Sequence, residues 1–310
     1  MMTAINDYLT AGLRVFEEWR PRLQERLARK NYTFPGRTDQ DSLAAEVTED
    51  PDAAGEAGPV QVSLPISLDQ ILVQSGKLPL HSLVLGVCDD GLPFLLDLTS
   101  PAPGALLICG DLGVGKTMLV SSIMASGVRL NTPSELNLSV IAADIQPFMG
   151  LAKADHCQEI FSCDESVTGD LIGELADLAE ERRRTRPTDP AILLVIDDLA
   201  GCLDHLDQQT FSRLYWLIRH GPRSRVWTIA TLSMERARTI EPRFLSAFRT
   251  RIIGRTADRK LAAQLSEDDN LRTGKLENGQ FNIPYGGEWL RLWTCPVDNE
   301  FIDEPAGGEA

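Results

Sequence analysis

The run GDLGVGKT, residues 110–117, constrains the fold of this chain more than any other feature. It follows the apolar run ALLIC (105–109), which predicts a buried strand, and it precedes a stretch to about Val128 that predicts a helix. The spacing fits G-x-x-x-x-G-K-[ST] in the strand–loop–helix setting that gives the pattern its meaning. The three glycines let the loop turn back, so that its N–H groups and the helix N-terminus converge on one anion.

The same loop carries side chains suited to a nucleotide. Lys116 can reach the β- and γ-phosphate oxygens, and the hydroxyl of Thr117 can ligate Mg²⁺. We therefore predict that the protein binds ATP and Mg²⁺. The predicted nucleotide-binding residues are Gly110, Asp111, Leu112, Gly113, Val114, Gly115, Lys116, Thr117 and Met118, with Thr231 from a later strand.

A second strand supplies the carboxylates. The continuous apolar run AILLVI (191–196) is typical of a strand buried on both faces, and Asp197 and Asp198 follow it directly. Ligands bind at this carboxyl end in parallel α/β sheets. Asp197 is the predicted second holder of Mg²⁺, together with Thr117. Asp198 is the candidate to orient and polarise an attacking water; the alternative is a solvated strand-end carboxylate.

Strands and helices alternate from residue 83 onward. The pattern predicts a hairpin (83–87 with 93–98), strands at 138–143, 226–231 and 251–254, and helices at 170–184, 207–220 and 257–266. Repeated βα units with apolar strands indicate an α/β fold, a mostly parallel central sheet flanked by helices.

The order of the remaining motifs resembles the FtsK/HerA-type motor ATPases over residues 80–297. The pieces that carry the resemblance are HSLVLGVCDDGLPFLLDLTSPAPGALLICGDLGVGKT, VIAADIQ, LADLAEERRRTR, VIDDLAGCL, RHGPRSRVWTIATLS, AFRTRIIGRT and the closing hairpin GQFNIPYGGEWLRLW. The resemblance implies a RecA-like P-loop NTPase fold, Mg²⁺-dependent ATP hydrolysis and a homo-oligomer, normally a hexameric ring. DNA is the commonest substrate of that family.

Three positions depart from the family's pattern. The family's Asp-Pro-Lys is here Asp144-Ile145-Gln146, and its sensor Thr-Gln is Thr231-Leu232. Thr231 is therefore the remaining polar candidate at the sensor position. Asp198 stands where the family usually has Glu, which has one more methylene.

Two groups of arginines are candidates for other roles. A ring motor completes each site with an arginine from the neighbouring subunit. The candidates for this catalytic arginine are Arg223 and Arg225, before the sensor strand, and Arg251 in the following strand. Arg182, Arg183, Arg184 and Arg186 form a basic run near Lys153 that either contacts DNA phosphates or is a solvated helix end.

The flanking segments predict the domain organisation. The N-terminal segment 1–34 predicts an amphipathic helix over residues 5–30, which Pro21 kinks or splits in two. The helix either packs on the main domain or makes a partner or oligomer contact. Residues 35–60, with seven acidic residues and one basic, predict a flexible linker. The predicted ATPase domain is 61–297, and 298–310 is an acidic tail.

Composition excludes some classes of protein. The 310 residues include 45 Asp and Glu against 30 Lys and Arg, which excludes a protein that grips nucleic acid by bulk charge. Much of the excess negative charge lies in the linker and tail. The six cysteines form no CxxC pair and predict reduced thiols in the cytoplasm. No apolar run is long enough to predict a membrane span.

Three functions follow from these observations. The leading hypothesis is a ring-forming ATPase that translocates double-stranded DNA. The second is an FtsK-type ATPase that exports polypeptides. The third is a nucleotide-binding regulatory subunit with weak or no turnover, motivated by the missing sensor Gln and by Asp198 in place of Glu.

Overall fold

The computed structural model describes residues 66–89, 91–185 and 190–297. It also gives two short strands, β1 (Tyr32–Thr33) and β2 (Val60–Gln61), which pair in parallel. The predicted N-terminal helix, most of the acidic linker and the acidic tail lie outside the described residues.

The described chain is built on one ten-stranded sheet with the order β4-β3-β12-β11-β10-β5-β9-β8-β6-β7. The six strands from β10 to β7 are parallel, and the four at the other edge are antiparallel. The strands are β3 (Ser82–Cys88), β4 (Pro93–Asp97), β5 (Leu106–Gly110), β6 (Leu136–Ala142), β7 (Cys157–Ser162), β8 (Ala191–Asp197), β9 (Val226–Ser233), β10 (Thr250–Gly254), β11 (Gln280–Tyr285) and β12 (Glu288–Trp293).

Helices cover both faces of the sheet, because the central strands β5, β6, β8 and β9 are apolar on both sides. One face packs against α2, and the other against α3, α5 and the short helices that follow. The helices are α1 (Leu68–Ser75), α2 (Lys116–Leu130), α3 (Val167–Thr185), α4 (Leu199–Leu203), α5 (Gln208–His220), α6 (Met234–Ala237), α7 (Pro242–Leu245) and α8 (Arg259–Ser266).

The predicted α/β class, the hairpin and the order of strands and helices are confirmed, with boundaries shifted by a few residues. Several elements were not predicted, among them β1, β2, β7, α1 and the short helices α6 and α7. Strand β7 is only partly buried and lies at the sheet edge, so it lacks a continuous apolar run. Helix α1 has only eight residues, and it packs in a small separate cluster with Leu78, Val84 and Cys295.

The prediction that all six cysteines are reduced is wrong for two of them. Cys163, after β7, and Cys202, in α4, are joined by a disulfide with their Cα atoms 4.8 Å apart. No sequence pattern indicates this pairing, because the two residues are 39 positions apart and meet only through the tertiary fold. Cys88, Cys109, Cys157 and Cys295 take part in no disulfide.

A bilayer-spanning helix would have to be both long and apolar, and none of the helices in the described part of the chain is.

Candidate nucleotide-binding site

The loop between β5 and α2 adopts a backbone that only glycine takes easily at two positions. Gly113 has φ of 75° and Gly115 has φ of 97°, both in the left-handed region. Between them Val114 is fully buried and anchors the loop in the core. Gly115 is the N-cap of α2, and it has no side chain to bond the free N–H groups of the first turn. Those N–H groups are therefore available to a phosphate.

Neighbouring loops hold this loop from two sides. The N–H of Asp111 donates to the carbonyl of Arg255 at 3.0 Å, and the N–H of Gly279 donates to the carbonyl of Val114 at 2.9 Å. The carboxylate of Asp111 accepts from the N–H of Ala257 at 2.9 Å. Asp111 is thus engaged in supporting the loop. Arg255, Ala257 and Gly279 were not predicted from the sequence, because no pattern links these late loops to residue 110.

The side chain of Lys116 folds back over the loop. Its Nζ donates to the carbonyls of Gly110 at 3.1 Å and Asp111 at 2.9 Å. Burial lowers the pKa of Lys116, and the negative charge of Asp197 opposes that shift most strongly. A phosphate group would supply the charged partner that the two carbonyls only partly replace. Leu112 and Met118 project outward, with exposed fractions of 80% and 44%.

Three elements of the fold meet at Asp197, which ends β8. Thr117, at the start of α2, donates its hydroxyl to Oδ2 of Asp197 at 2.8 Å, and Thr231 on β9 donates to Oδ1 at 2.6 Å. Burial raises the pKa of Asp197, and the hydrogen bonds from Thr231 and Thr117 counter the increase. The predicted pair Thr117 and Asp197 is therefore brought together, although 80 residues separate them.

Asp198 takes a strained backbone conformation with φ of 65°. Its N–H donates to the hydroxyl of Thr231 at 2.9 Å, and its Oδ1 accepts from the N–H of Gly201 at 3.3 Å as the N-cap of α4. A Cβ at Gly201 would lie 2.5 Å from Oδ2 of Asp198, so a larger residue there would displace this carboxylate. Asp198 is held at the strand end, next to Asp197.

The oxygen atoms around Thr117 fit a magnesium ion. A hydroxyl and a carboxylate lie side by side at the N-terminus of α2, and oxygen ligands are those that Mg²⁺ prefers. Thr117 and Asp197 are the residues that would hold it. When bound with a nucleotide, Mg²⁺ neutralises charge on the phosphate oxygens.

Thr231 lies behind this site, where it is 2% exposed and both its hydrogen bonds go to the end of β8. Its geometry is that of a positioning residue for Asp197 and Asp198. The exposed Asp144 bonds its own loop, through the N–H of Gln146.

None of the three candidate arginines belongs to the glycine loop that follows β5. Arg223 and Arg225 precede β9, and Arg251 lies within β10. Arg223 is exposed in a short 3₁₀ turn (Gly221–Ser224). Arg225 is half-buried, and its positive charge acts on Glu135. Hydrogen bonds from Thr132 are the main cause that lowers the pKa of Glu135, and the charge of Arg225 adds to that shift. Arg251 donates to the carbonyl of Leu265 at 2.6 Å and to the carboxylate of Glu267 at 2.9 Å, so its side chain is engaged within this chain.

The arginines at the end of α3 differ in their burial and in their contacts. Arg182 is 5% exposed and donates to the carbonyl of Pro190 at 2.9 Å, which ties α3 to the start of β8. Arg184 is paired with Glu180 one turn earlier, and Arg183 is exposed. Arg182 is therefore a structural residue in this fold, and Arg186 lies outside the described residues.

The sequence matches no protein-family model and no curated protein. Solved structures match the fold. EssC from Geobacillus thermodenitrificans (ATPases 2 and 3) gives a TM-score of 0.60 at 14% identity, over 75% of this chain and 47% of that one. EccC from Thermomonospora curvata (ATPases 2 and 3), in complex with a signal sequence peptide, gives 0.61 at 18% identity, over 79% and 46%.

A third structure matches over more of both chains. The pCW3 conjugation coupling protein TcpA, in a monomer form with ATPγS, gives a TM-score of 0.58 at 17% identity, over 92% of this chain and 83% of that one. The chain has the fold of these structures, which is the RecA-like P-loop NTPase fold expected from the sequence. At these identities the likeness concerns the fold, and the chain spans about half the length of the EssC and EccC chains it matches.

Thr231 provides a direct test of the site's architecture. We expect Thr231→Val to lose about 1–3 kcal/mol of unfolding free energy, because a buried carboxylate and an N–H each lose a partner. Thr231→Ser keeps the hydroxyl and serves as the control that stays close to the parent. Urea unfolding measures both variants, and equal stability of the Val variant would contradict the hydrogen-bond assignment.

Proposed function

We propose that this chain is a Mg²⁺-dependent, ATP-hydrolysing motor of the FtsK/HerA class, a ring-forming translocase acting on double-stranded DNA. The observation that carries the proposal is the pairing of Thr117 with Asp197 at 2.8 Å beside Lys116. It joins the glycine loop to the carboxyl end of another parallel strand of the sheet, as nucleotide hydrolysis requires. Cytoplasmic location is part of the proposal and is tested by cell fractionation.

The proposed roles follow from the positions of the side chains. The N–H groups of the loop and Lys116 bind the phosphates of ATP, and Thr117 and Asp197 hold the metal ion that neutralises them. Asp198 accepts a proton from the attacking water or orients that water. Thr231 keeps both carboxyl-bearing residues at the end of β8.

A substitution of Lys116 tests whether ATP binding and hydrolysis depend on the glycine loop. We expect Lys116→Ala to abolish tight ATP binding and hydrolysis, because the loop loses its cation. In the parent protein we expect double-stranded DNA to stimulate hydrolysis, with an effect that weakens as salt is raised. Calorimetry measures binding, and phosphate release measures turnover with and without duplex. Unchanged ATP affinity in Lys116→Ala would overturn the nucleotide site itself.

Asp198 tests the chemical step. The Asp198→Asn variant keeps an oxygen that can cap α4 but loses the carboxylate, so we expect hydrolysis to fall by about 100-fold or more. ATP affinity should stay within a fewfold of the parent. The Asp198→Ala variant loses the cap of α4 as well as the carboxylate. Comparing the thermal stability of the Asn and Ala variants therefore separates the loss of the cap from the loss of the carboxylate. Full turnover by the Asn variant would move the base to another residue.

The ring itself is tested through Arg223 and Arg225. We propose Arg223 as the arginine that acts on the neighbouring subunit's site, because it is exposed, whereas Arg225 is half-buried near Glu135. Arg223→Ala and Lys116→Ala should each be inactive alone, and mixing them should restore activity at about a quarter of the sites by random pairing. The matched comparison mixes Arg225→Ala with Lys116→Ala. A mixture of Arg223→Ala and Lys116→Ala that stays inactive would contradict the proposal for Arg223.

Protein export is the second candidate function. It is favoured by the likeness to EccC, whose structure holds a signal sequence peptide, and by the excess of acidic residues in this chain. Hydrolysis that responds to a polypeptide and not to DNA would favour it over the DNA motor.

A regulatory subunit is the third candidate. Its support is the carboxylate of Asp198, which is engaged as the cap of α4 and is shorter than the Glu of the family. Tight ATP binding without turnover at every protein concentration would favour it.

A further inference from the structure

A cavity lined by arginines lies at the opposite end of the strands from the glycine loop. Its walls come from segments that precede β5, β9 and β10, whereas the glycine loop follows β5. The five residues of β5 separate the two ends by about 17 Å. Within one chain, this cavity is therefore separate from the glycine loop.

Cationic side chains dominate its lining. The cavity has a volume of about 480 Å³, and we call it the arginine cavity because Arg219, Arg223, Arg243 and Arg249 line it, with His220 and Tyr215. No carboxylate is among its lining residues in the described part of the chain. Like charges gathered around one space repel one another, and an anion placed between them relieves that repulsion.

The protein holds these side chains toward the cavity. The hydroxyl of Tyr215 accepts from Nη1 of Arg219 at 3.2 Å, and the guanidinium carbons of Arg219 and Arg243 lie 5.6 and 5.9 Å from the Tyr215 ring centre. Both arginines therefore converge on one aromatic residue. The hydrogen bond from Arg219 is the largest cause that lowers the pKa of Tyr215, and the positive charges of both arginines lower it further.

Arg249 enters the cavity over a glycine. Gly104 has φ of 67°, and a Cβ there would lie 2.5 to 2.8 Å from the stem carbons of Arg249. Its Nη1 also donates to the carbonyl of Ala102 at 3.2 Å. The loop before β5 is thus shaped around this side chain. On the other wall, burial lowers the pKa of His220, and neighbouring arginines lower it further.

We propose that the arginine cavity is a second phosphate-binding site, which takes phosphate groups of an oligophosphate or of a nucleic-acid backbone. All four cations are arginines, whose planar forks pair with two oxygens of a phosphate at once. The volume is in the range of small-molecule sites and admits more than one phosphate group. The site requires neither ATP hydrolysis nor the glycine loop.

The test uses full-length protein with the Lys116→Ala change, which weakens phosphate binding at the glycine loop. Calorimetry with inorganic tripolyphosphate compares this parent with a version that also carries Arg219→Ala and Arg243→Ala. We expect Kd to rise by about tenfold for each arginine lost, about a hundredfold in total. The matched control carries Arg238→Ala and Arg291→Ala, which remove the same charge outside the cavity, and should bind as the parent does.

A conservative variant distinguishes the loss of the binding groups from misfolding of the alanine variant. Arg219→Lys with Arg243→Lys keeps both charges and loses the forks, so its affinity should lie between those of the parent and the alanine variant. Equal binding by parent and alanine variant, an equal loss in the control, or displacement by sulfate as effective as by tripolyphosphate would overturn the proposal.

A second titration identifies the source of the phosphate. If nucleic acid is the ligand, a short DNA duplex should bind the Lys116→Ala parent and lose affinity in the alanine variant, measured by fluorescence anisotropy. If a free oligophosphate is the ligand, tripolyphosphate binding alone should depend on the two arginines. Arg223 is left unchanged throughout, so failure of this site and failure of the proposed inter-subunit role of Arg223 are separate results.

Discussion

The hydroxyl of Thr231 bonds two consecutive residues of the neighbouring strand, and the rest of the site depends on this arrangement. It donates to the carboxylate of Asp197 and accepts the N–H of Asp198. The second oxygen of Asp197 is held by Thr117. Two parallel strands and the N-terminus of α2 are thereby joined through one buried carboxylate. Because such a group is costly to bury unpaired, its hydrogen bonds fix the positions of these elements.

The glycine loop is fixed by a different means. Its conformation requires positive φ at Gly113 and Gly115, and backbone hydrogen bonds to Arg255 and Gly279 hold it from the antiparallel side of the sheet. The closing β11–β12 hairpin therefore does more than extend the sheet, because the turn before it contacts the loop directly. These contacts fix the loop N–H groups that we propose bind phosphate, and a site fixed in this way lowers the ordering cost of binding.

The two ends of the parallel strands carry opposite chemistry. Carboxylates and the glycine loop lie at one end, and the arginine cavity lies at the other. In the proposed ring, these two ends give each subunit different surfaces toward its two neighbours. The fold of the single chain explains how an acidic protein can carry a concentrated positive charge, because it brings four arginines from separate segments together.

The sequence by itself determined the fold class and the glycine loop of the candidate nucleotide site. The glycine spacing with Lys116 and Thr117 is local, and apolar runs buried on both faces predict a parallel sheet, so both could be predicted without contacts. Tertiary structure alone decided the rest. The bonds of Thr231, the Cys163–Cys202 disulfide and the arginine cavity each join residues from separate segments. Such contacts depend on strand order and on the direction of each side chain, which periodicity in one sequence does not encode.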